Sequence, residues 1–351
     1  MRHLIAEVER GGRVESRHYG SVAIVDASGR DVLTLGDTSL AVFPRSTVKP
    51  LLALPLVESG AASRLKLTDA ELAVICASHN GEEAHTQTVA GILQRVGQSV
   101  ACLECGAHWP LGDKACHDLA AQGGHPSALH NNCSGKHAGL ICLALDQQLD
   151  PENYVSPDHP VQQQVTAVLA TMTDAVYDAQ HRGMDGCSMP TYAIPLRQLA
   201  LGFARFGASD MLEADRGKAA ARLRAAIAAA PFMLAGTGRF DTRLITHFGR
   251  RVFCKMGAEG VMVAALPDVG LGIAIKVEDG ANRAAEVALA ALLQKIPTLT
   301  GSDEDQTFLA SLSCAPLKTG TGGKSAASAH LKPSAGYRFF QAEPNPGLVK
   351  A

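Results

Sequence analysis

Three short segments place alcohols and amines at spacings suited to nucleophilic catalysis: Arg45-Ser46-Thr47-Val48-Lys49-Pro50, Ser78-His79-Asn80 and Lys255-Met256-Gly257. Ser46 falls at the expected start of a helix, with Lys49 one turn later on the same face. A serine hydroxyl is a poor nucleophile until a base takes its proton. A lysine can be that base if its pKa, about 10.4 unperturbed, falls by several units, and a three-unit drop corresponds to roughly 4 kcal/mol. Burial or a neighbouring cation lowers it. Alone, Ser-x-x-Lys more often marks an N-cap serine and a solvated lysine. The spacing recurs at Ser63 and Lys66, in a polar stretch leading to a helix cap, and no chemistry is assigned there.

Two further segments raise the weight of the first. Ser78-His79-Asn80 follows the apolar run Leu72 to Ala77. Its side chains can relay a proton, and Asn80 can bind a carbonyl or amide. Lys255 lies at the end of an expected strand, where it offers a second cation that favours a neutral Lys49, and Gly257 lets substrate approach. Taken in order, the three segments resemble the Ser-x-x-Lys, Ser-x-Asn and Lys-x-Gly elements of the penicillin-recognising and serine glutaminase superfamily. Met256 stands where that superfamily usually has Thr or Ser, which puts hydroxyl contacts to substrate in doubt. A literal Lys318-Thr319-Gly320 lies in low-complexity surroundings and is set aside as a decoy.

Sulfur is concentrated in two loops, Asn131-Asn132-Cys133-Ser134-Gly135-Lys136-His137 and Asp185-Gly186-Cys187-Ser188-Met189-Pro190. Thiolates are good zinc ligands, and a substrate-facing zinc commonly keeps three protein donors and one open position. From spacing, Cys133 and Cys187 are two donors and His137 is the third, because an amine must first lose its proton. The competing reading is a pair of buried cysteines in Gly-rich turns. Gly323-Lys324-Ser325 lacks the earlier glycine of a phosphate loop, and Cys133-Ser134-Gly135 lacks the leading glycine of a nucleophile elbow.

The positioning elements follow from pattern. From His3 to Phe43 apolar and polar positions alternate, with turn chemistry at Gly11-Gly12 and Asp26-Ala27-Ser28-Gly29, which predicts antiparallel hairpins. Helical periodicity runs from about Ser46 to Leu234, with a capping-box signature at Thr68-Asp69-Ala70-Glu71 and loops at 105–112, 122–132 and 183–195. Strand character returns at Arg251 to Lys255, Val261 to Leu266 and Leu271 to Val277, before an Ala-rich helix from Ala281 to about Leu293. The expected fold is α+β, one antiparallel sheet of N- and C-terminal strands flanked by helices, with an all-helical lobe beside it. Residues 1–300 form one two-lobed domain, the sheet lobe taking about 1–60 and 240–300 and the helical lobe about 61–239. Residues 301–351 read as an edge strand and a low-complexity tail.

Composition narrows the partners. With 46% hydrophobic and 19% charged residues, the 351-residue chain is an ordinary globular sequence that can bury a core. A formal net charge of -2 gives no electrostatic reason to expect nucleic acid or an anionic membrane, and points to a small molecule. The N-terminus alternates apolar and charged residues, so it reads as a strand rather than an export signal, and no run suits a membrane-spanning helix. Nine cysteines without a secretory signal suit reduced thiols and a cytoplasmic location.

Together these segments resemble one known family, the rhizobial-type L-asparaginases or asparaginase II family. The resemblance rests on Arg45 to Pro50, Cys76-Ala77-Ser78-His79-Asn80, Asn131 to Gly139, Asp185-Gly186-Cys187 and Lys255-Met256-Gly257-Ala258-Glu259-Gly260, spanning the chain to about residue 300. It implies a fold like the serine β-lactamases and glutaminases and hydrolysis of L-asparagine to L-aspartate and ammonia. By motif, Ser46 would be the nucleophile with Lys49 as base, and Ser78 with Lys255 a second tandem. The family's zinc would fall on Cys133, Lys136 and Cys187, which replaces His137 by Lys136. Arg45, His137 and Asp185 would support substrate or the site's surroundings, and a homodimer is the family-based expectation. The rivals are glutaminase or β-lactamase-type activity on the same machinery, and a non-catalytic zinc or amino-acid binding protein.

Overall fold

Alternating apolar residues at the N-terminus make a strand, His3–Arg10, that turns at Gly11-Gly12 into a long second strand, Arg13–Asp26. A computed structural model describes residues 3–314 and the backbone of 330–333. The second strand is the spine of the main sheet. Its first half pairs with His3–Arg10, and its second half pairs on that same side with Asp31–Leu35. Its other edge pairs with Leu271–Val277. Val261–Leu266 and Phe253–Met256 follow outward, every pairing antiparallel. Strands separated by more than 200 residues of intervening chain are thus neighbours, which is the expected joining of the two strand groups.

Val261–Leu266 is buried along its whole length and Leu271–Val277 along nearly all of it, as required of strands covered on both faces. Helices Leu196–Gly207 and Asn282–Leu293 supply the cover. Ala-rich Asn282–Leu293 fits there because small side chains let a helix lie close to a sheet.

In the helical part, Asp69–Ile75 is capped as its sequence predicts: the Thr68 hydroxyl accepts from Glu71 N–H and the Glu71 carboxylate accepts from Thr68 N–H. Helix Ser134–Asp146 packs against it so closely that a Cβ on Gly135 would lie 2.0 Å from Val74 O. Only glycine permits that approach. It sets the end of one helix, which leads into Ser78, beside the start of the other, which follows Asn132 and Cys133.

Two expectations are corrected. The 183–195 loop contains a small hairpin, Arg182–Met184 with Pro190–Tyr192, because backbone pairing satisfies groups that the Gly- and Pro-rich sequence left without apparent partners. Residues Asp303–Ser313 form a helix, capped by the Ser302 hydroxyl and carrying Asp303, Glu304 and Asp305 in its first turn, where strand and tail were expected. His330–Pro333 does form an edge strand against His3–Arg10. Lys318-Thr319-Gly320 and Gly323-Lys324-Ser325 lie outside the described residues. Among the described residues no helix is long and apolar enough to cross a membrane.

Candidate active site

Ser46 sits in a 3-10 turn, Arg45–Val48, that runs directly into the helix Lys49–Leu52. Arg45 begins the turn with a left-handed φ of +51°, a conformation that costs a non-glycine residue about 1–2 kcal/mol. Its guanidinium is held by Asp185, Nε to Oδ1 at 2.8 Å. Asp185 and Cys187 lie at the tip of the Arg182–Tyr192 hairpin, where Ser188 N–H donates to Asp185 O and Asp185 N–H to Met189 O. The ion pair therefore ties the nucleophile's turn to the cysteine-bearing hairpin. Burial pushes the Asp185 carboxyl up, but Lys136 and Arg45 outweigh it and hold the group below its ordinary value.

The Ser78 segment is fixed by backbone bonds on both sides. Ser78 N–H donates to Leu234 O, His79 N–H to Asn132 O and Asn80 N–H to Ala235 O. Its hydroxyl then lies at the centre of a small network: 3.1 Å from Ser46 Oγ, 3.3 Å from Lys49 Nζ and 3.1 Å from Asn132 Nδ2. Lys49, 1% exposed, also donates to Ala77 O at 2.5 Å and to Asn132 O at 3.4 Å. Lys49 thus reaches Ser46 through Ser78, where the spacing suggested a direct approach.

Lys255 is fully buried at the end of Phe253–Met256, yet it forms no hydrogen bond to Ser78. Its amine donates to Met256 O at 2.9 Å and lies 3.7 Å from Asp241 Oδ2. The Ser78 and Lys255 tandem is therefore not joined by a hydrogen bond, because the strand's own carbonyl captures the amine. Burial pushes Lys255 down to about 8, against the opposing pull of Asp241 and with help from the Lys49 charge. Gly257 keeps this strand end close to the nucleophile's turn: a Cβ there would meet Pro44 O and the Thr47 methyl, both at 3.0 Å.

Asn80 turns away from open substrate contact. Its amide donates to Glu82 Oε1 and Thr237 O, and its carbonyl accepts from Arg239, so it anchors the 236–239 loop. His137 is fully buried with Nδ1 2.6 Å from the Tyr154 hydroxyl. Burial lowers its pKa far below the ordinary value, with Lys136 adding to the effect.

The two loop cysteines do meet. Cys187 lies beside Cys133, whose Sγ donates to Asn132 Oδ1 at 3.3 Å, and Lys136 Nζ lies 2.9 Å from Cys187 Sγ. The neighbouring Cys187 thiol lowers the Cys133 pKa; burial resists, and Lys49 and Lys136 reinforce the lowering. Among the described residues no third His, Cys, Asp or Glu joins them, so the spacing-based choice of His137 as ligand is corrected. The remaining donor is the Lys136 amine. Two soft thiols and a nitrogen converging in a buried pocket fit a zinc ion. The Cys-x-x-Cys spacing of Cys102 and Cys105 is not part of the group; burial pushes the Cys105 thiol up to about 11, and it donates to Ala128 O.

Residues that motif reasoning passed over complete the site. Asn132 contributes its amide to Ser78 and its carbonyl to Lys49, and its N–H donates to His108 Nε2 at 3.0 Å. Asn132 adjoins a flagged cysteine, a usable signal. Asp241 and His108 carry no local pattern at all.

The family model described as L-asparaginase II matches residues 6–327. The chain belongs to the L-asparaginase II family. Membership makes it an asparaginase-type amidohydrolase acting on a small molecule. Among solved structures it is similar to the crystal structure of Mglu in its native form, at 14% identity and a TM-score of 0.45, covering 82% of this chain and 66% of that one. It is also similar to a β-lactamase, Mb2281c, from Mycobacterium bovis, at 14% identity and a TM-score of 0.39, covering 78% of this chain and 93% of that one. No curated protein matches the chain.

Proposed function

We propose that this member of the L-asparaginase II family hydrolyses L-asparagine to L-aspartate and ammonia through an ester on Ser46. The carrying observation is the continuous path Ser46 Oγ, Ser78 Oγ, Lys49 Nζ, with steps of 3.1 and 3.3 Å. A neutral amine has two N–H donors and one lone pair. In the structure Lys49 donates to Ala77 O, Ser78 Oγ and Asn132 O; once it has lost a proton, the two carbonyls can keep its two remaining donors and its lone pair would face the Ser78 hydroxyl. Ser78, which donates to Ser46 in the structure, would then turn its hydroxyl to Lys49 and accept from Ser46, while Asn132 Nδ2 fills its other acceptor site. Lys49 takes the Ser78 proton as Ser78 takes that of Ser46, and Ser46 Oγ attacks the side-chain amide carbon.

Backbone N–H groups at the start of the 3-10 turn, which have no partner within the turn, suit the developing oxyanion. Proton return through Ser78, with Lys255 as a nearby cation, releases ammonia. Water activated by the same path cleaves the aspartyl ester. Arg45, paired with Asp185, borders the nucleophile and suits a substrate carboxylate. Cys133, Lys136 and Cys187 would hold zinc, which supplies Lewis acidity for placing substrate and water when bound. Ammonia release from L-asparagine by wild type and Ser46→Ala, with L-glutamine and a β-lactam in parallel, tests the reading. Activity on L-asparagine that vanishes in the variant supports it. Equal ammonia release by both proteins, or none by either, rejects it.

A further inference from the structure

Behind Lys255 lies a buried carboxylate that the proposed chemistry does not use. Asp241 occupies the first turn of helix Phe240–Phe248 and is 1% exposed. Its Oδ2 accepts from Met256 N–H at 3.0 Å and stands 3.7 Å from Lys255 Nζ, while that amine donates to Met256 O at 2.9 Å. Carboxylate and amine thus grip the two polar groups of one residue, Met256. Asp241 Oδ1 is buried with no hydrogen-bond partner among the described residues, so the carboxylate is not there to complete a local hydrogen-bond set. A buried carboxylate with one idle oxygen is costly unless its charge is needed.

We propose that Asp241 is a positioning residue for Lys255, fixing the strand end that carries the amine and supplying the charge that keeps it a cation during turnover. This deepens the function proposed above and rests on it. The other groups acting on Lys255 are Lys49, Arg239 and Cys254, with Cys76 beside it. Arg239 opposes its charge, as does Lys49 whenever it is protonated, and both thiols are buried and pushed up in pKa, Cys254 well above its ordinary value and Cys76 to about 12. Glu286, which faces Asp241, Arg239 and Arg243, is itself pushed up to about 7 by burial. Asp241 is therefore the acidic group opposite the amine.

Asp241→Asn preserves shape and an acceptor for Met256 N–H but removes the charge; Asp241→Glu keeps the charge. The direct readout is the Lys255 titration, followed by NMR of labelled lysine side chains in both variants and wild type. In Asp241→Asn the midpoint should fall by about one pH unit and kcat by about 10-fold with KM changed much less, the alkaline decline of kcat moving with the midpoint. Asp241→Glu should keep the wild-type midpoint. A folded Asp241→Asn whose Lys255 midpoint does not move overturns the proposal. Should that variant fail to fold, a fallen midpoint in Asp241→Glu overturns it instead. Because the titration needs no turnover, absence of asparaginase activity would reject the proposed function while leaving this pairing decided on its own readout.

Discussion

The Ser46 hydroxyl meets the Ser78 hydroxyl at 3.1 Å, and it is Ser78 that touches the Lys49 amine. A second serine thus stands between nucleophile and base. Ser78→Ala should leave the fold intact, since the segment is held by the backbone bonds of Ser78, His79 and Asn80. Its kcat for ammonia release should fall by about 10²–10⁴, the usual worth of a positioned proton-transfer group. A variant within threefold of wild type would show that Lys49 reaches Ser46 without the relay.

The pH profile should carry the signature of Lys255. Burial, the largest influence, moves its proton loss from 10.5 down to about 8, so the group is a cation below that pH and an amine above it. Since the cation is the form proposed to assist proton return, kcat for L-asparagine should decline as pH rises through about 8. A steady-state profile still climbing beyond about pH 9 would contradict this assignment.

Glu286 makes a prediction about stability. Burial first and Asp241 second push it up to about 7, against Arg239 and Arg243. The folded protein therefore keeps a proton that the unfolded chain loses above its ordinary value of 4.5, and stability from this group falls as pH rises from there through about 7. Glu286→Gln should gain roughly 1–3 kcal/mol at pH 8 and almost nothing near pH 4. Denaturant melts of both proteins at the two pH values measure the difference, and an equal effect at both would refute the assignment.

Metal content tests the cysteine cluster independently of activity. Wild type purified with zinc should carry about one ion per chain by elemental analysis, and Cys187→Ala, which removes the thiol that lies beside Cys133 and accepts from Lys136, should carry little. His137→Ala should keep its zinc, because that imidazole is engaged with Tyr154 and lies outside the thiol pair. Loss of metal in the His137 variant alone would restore the histidine as ligand.

Much of the sheet was legible because its strands alternate or run continuously apolar, and the Thr68 capping box was readable letter by letter. Ser46, Lys49 and Ser78 were legible as motif members, and the structure brings these three together. Their hydrogen-bond order was not, since it depends on helix Ser134–Asp146 pressing against Val74 through Gly135 and so placing Asn132 beside Ser78. Asp241 was invisible for the same reason: an acidic residue in the first turn of a helix looks like dipole compensation, and only the folded chain puts it against Lys255. Asn80 was misread in its contacts because Glu82, Thr237 and Arg239 claim its amide, and two of those three are more than 150 residues away in sequence.

In the proposed reaction Ser46 carries the acyl group during hydrolysis of L-asparagine. Rapid acid quench of the enzyme turning over L-asparagine, followed by peptide mass spectrometry, tests it most directly. An aspartyl adduct should appear on the peptide containing Ser46, absent in Ser46→Ala and longer-lived when ester cleavage is slowed. Full turnover with no adduct on that peptide, or an adduct on another residue that persists in Ser46→Ala, would contradict it.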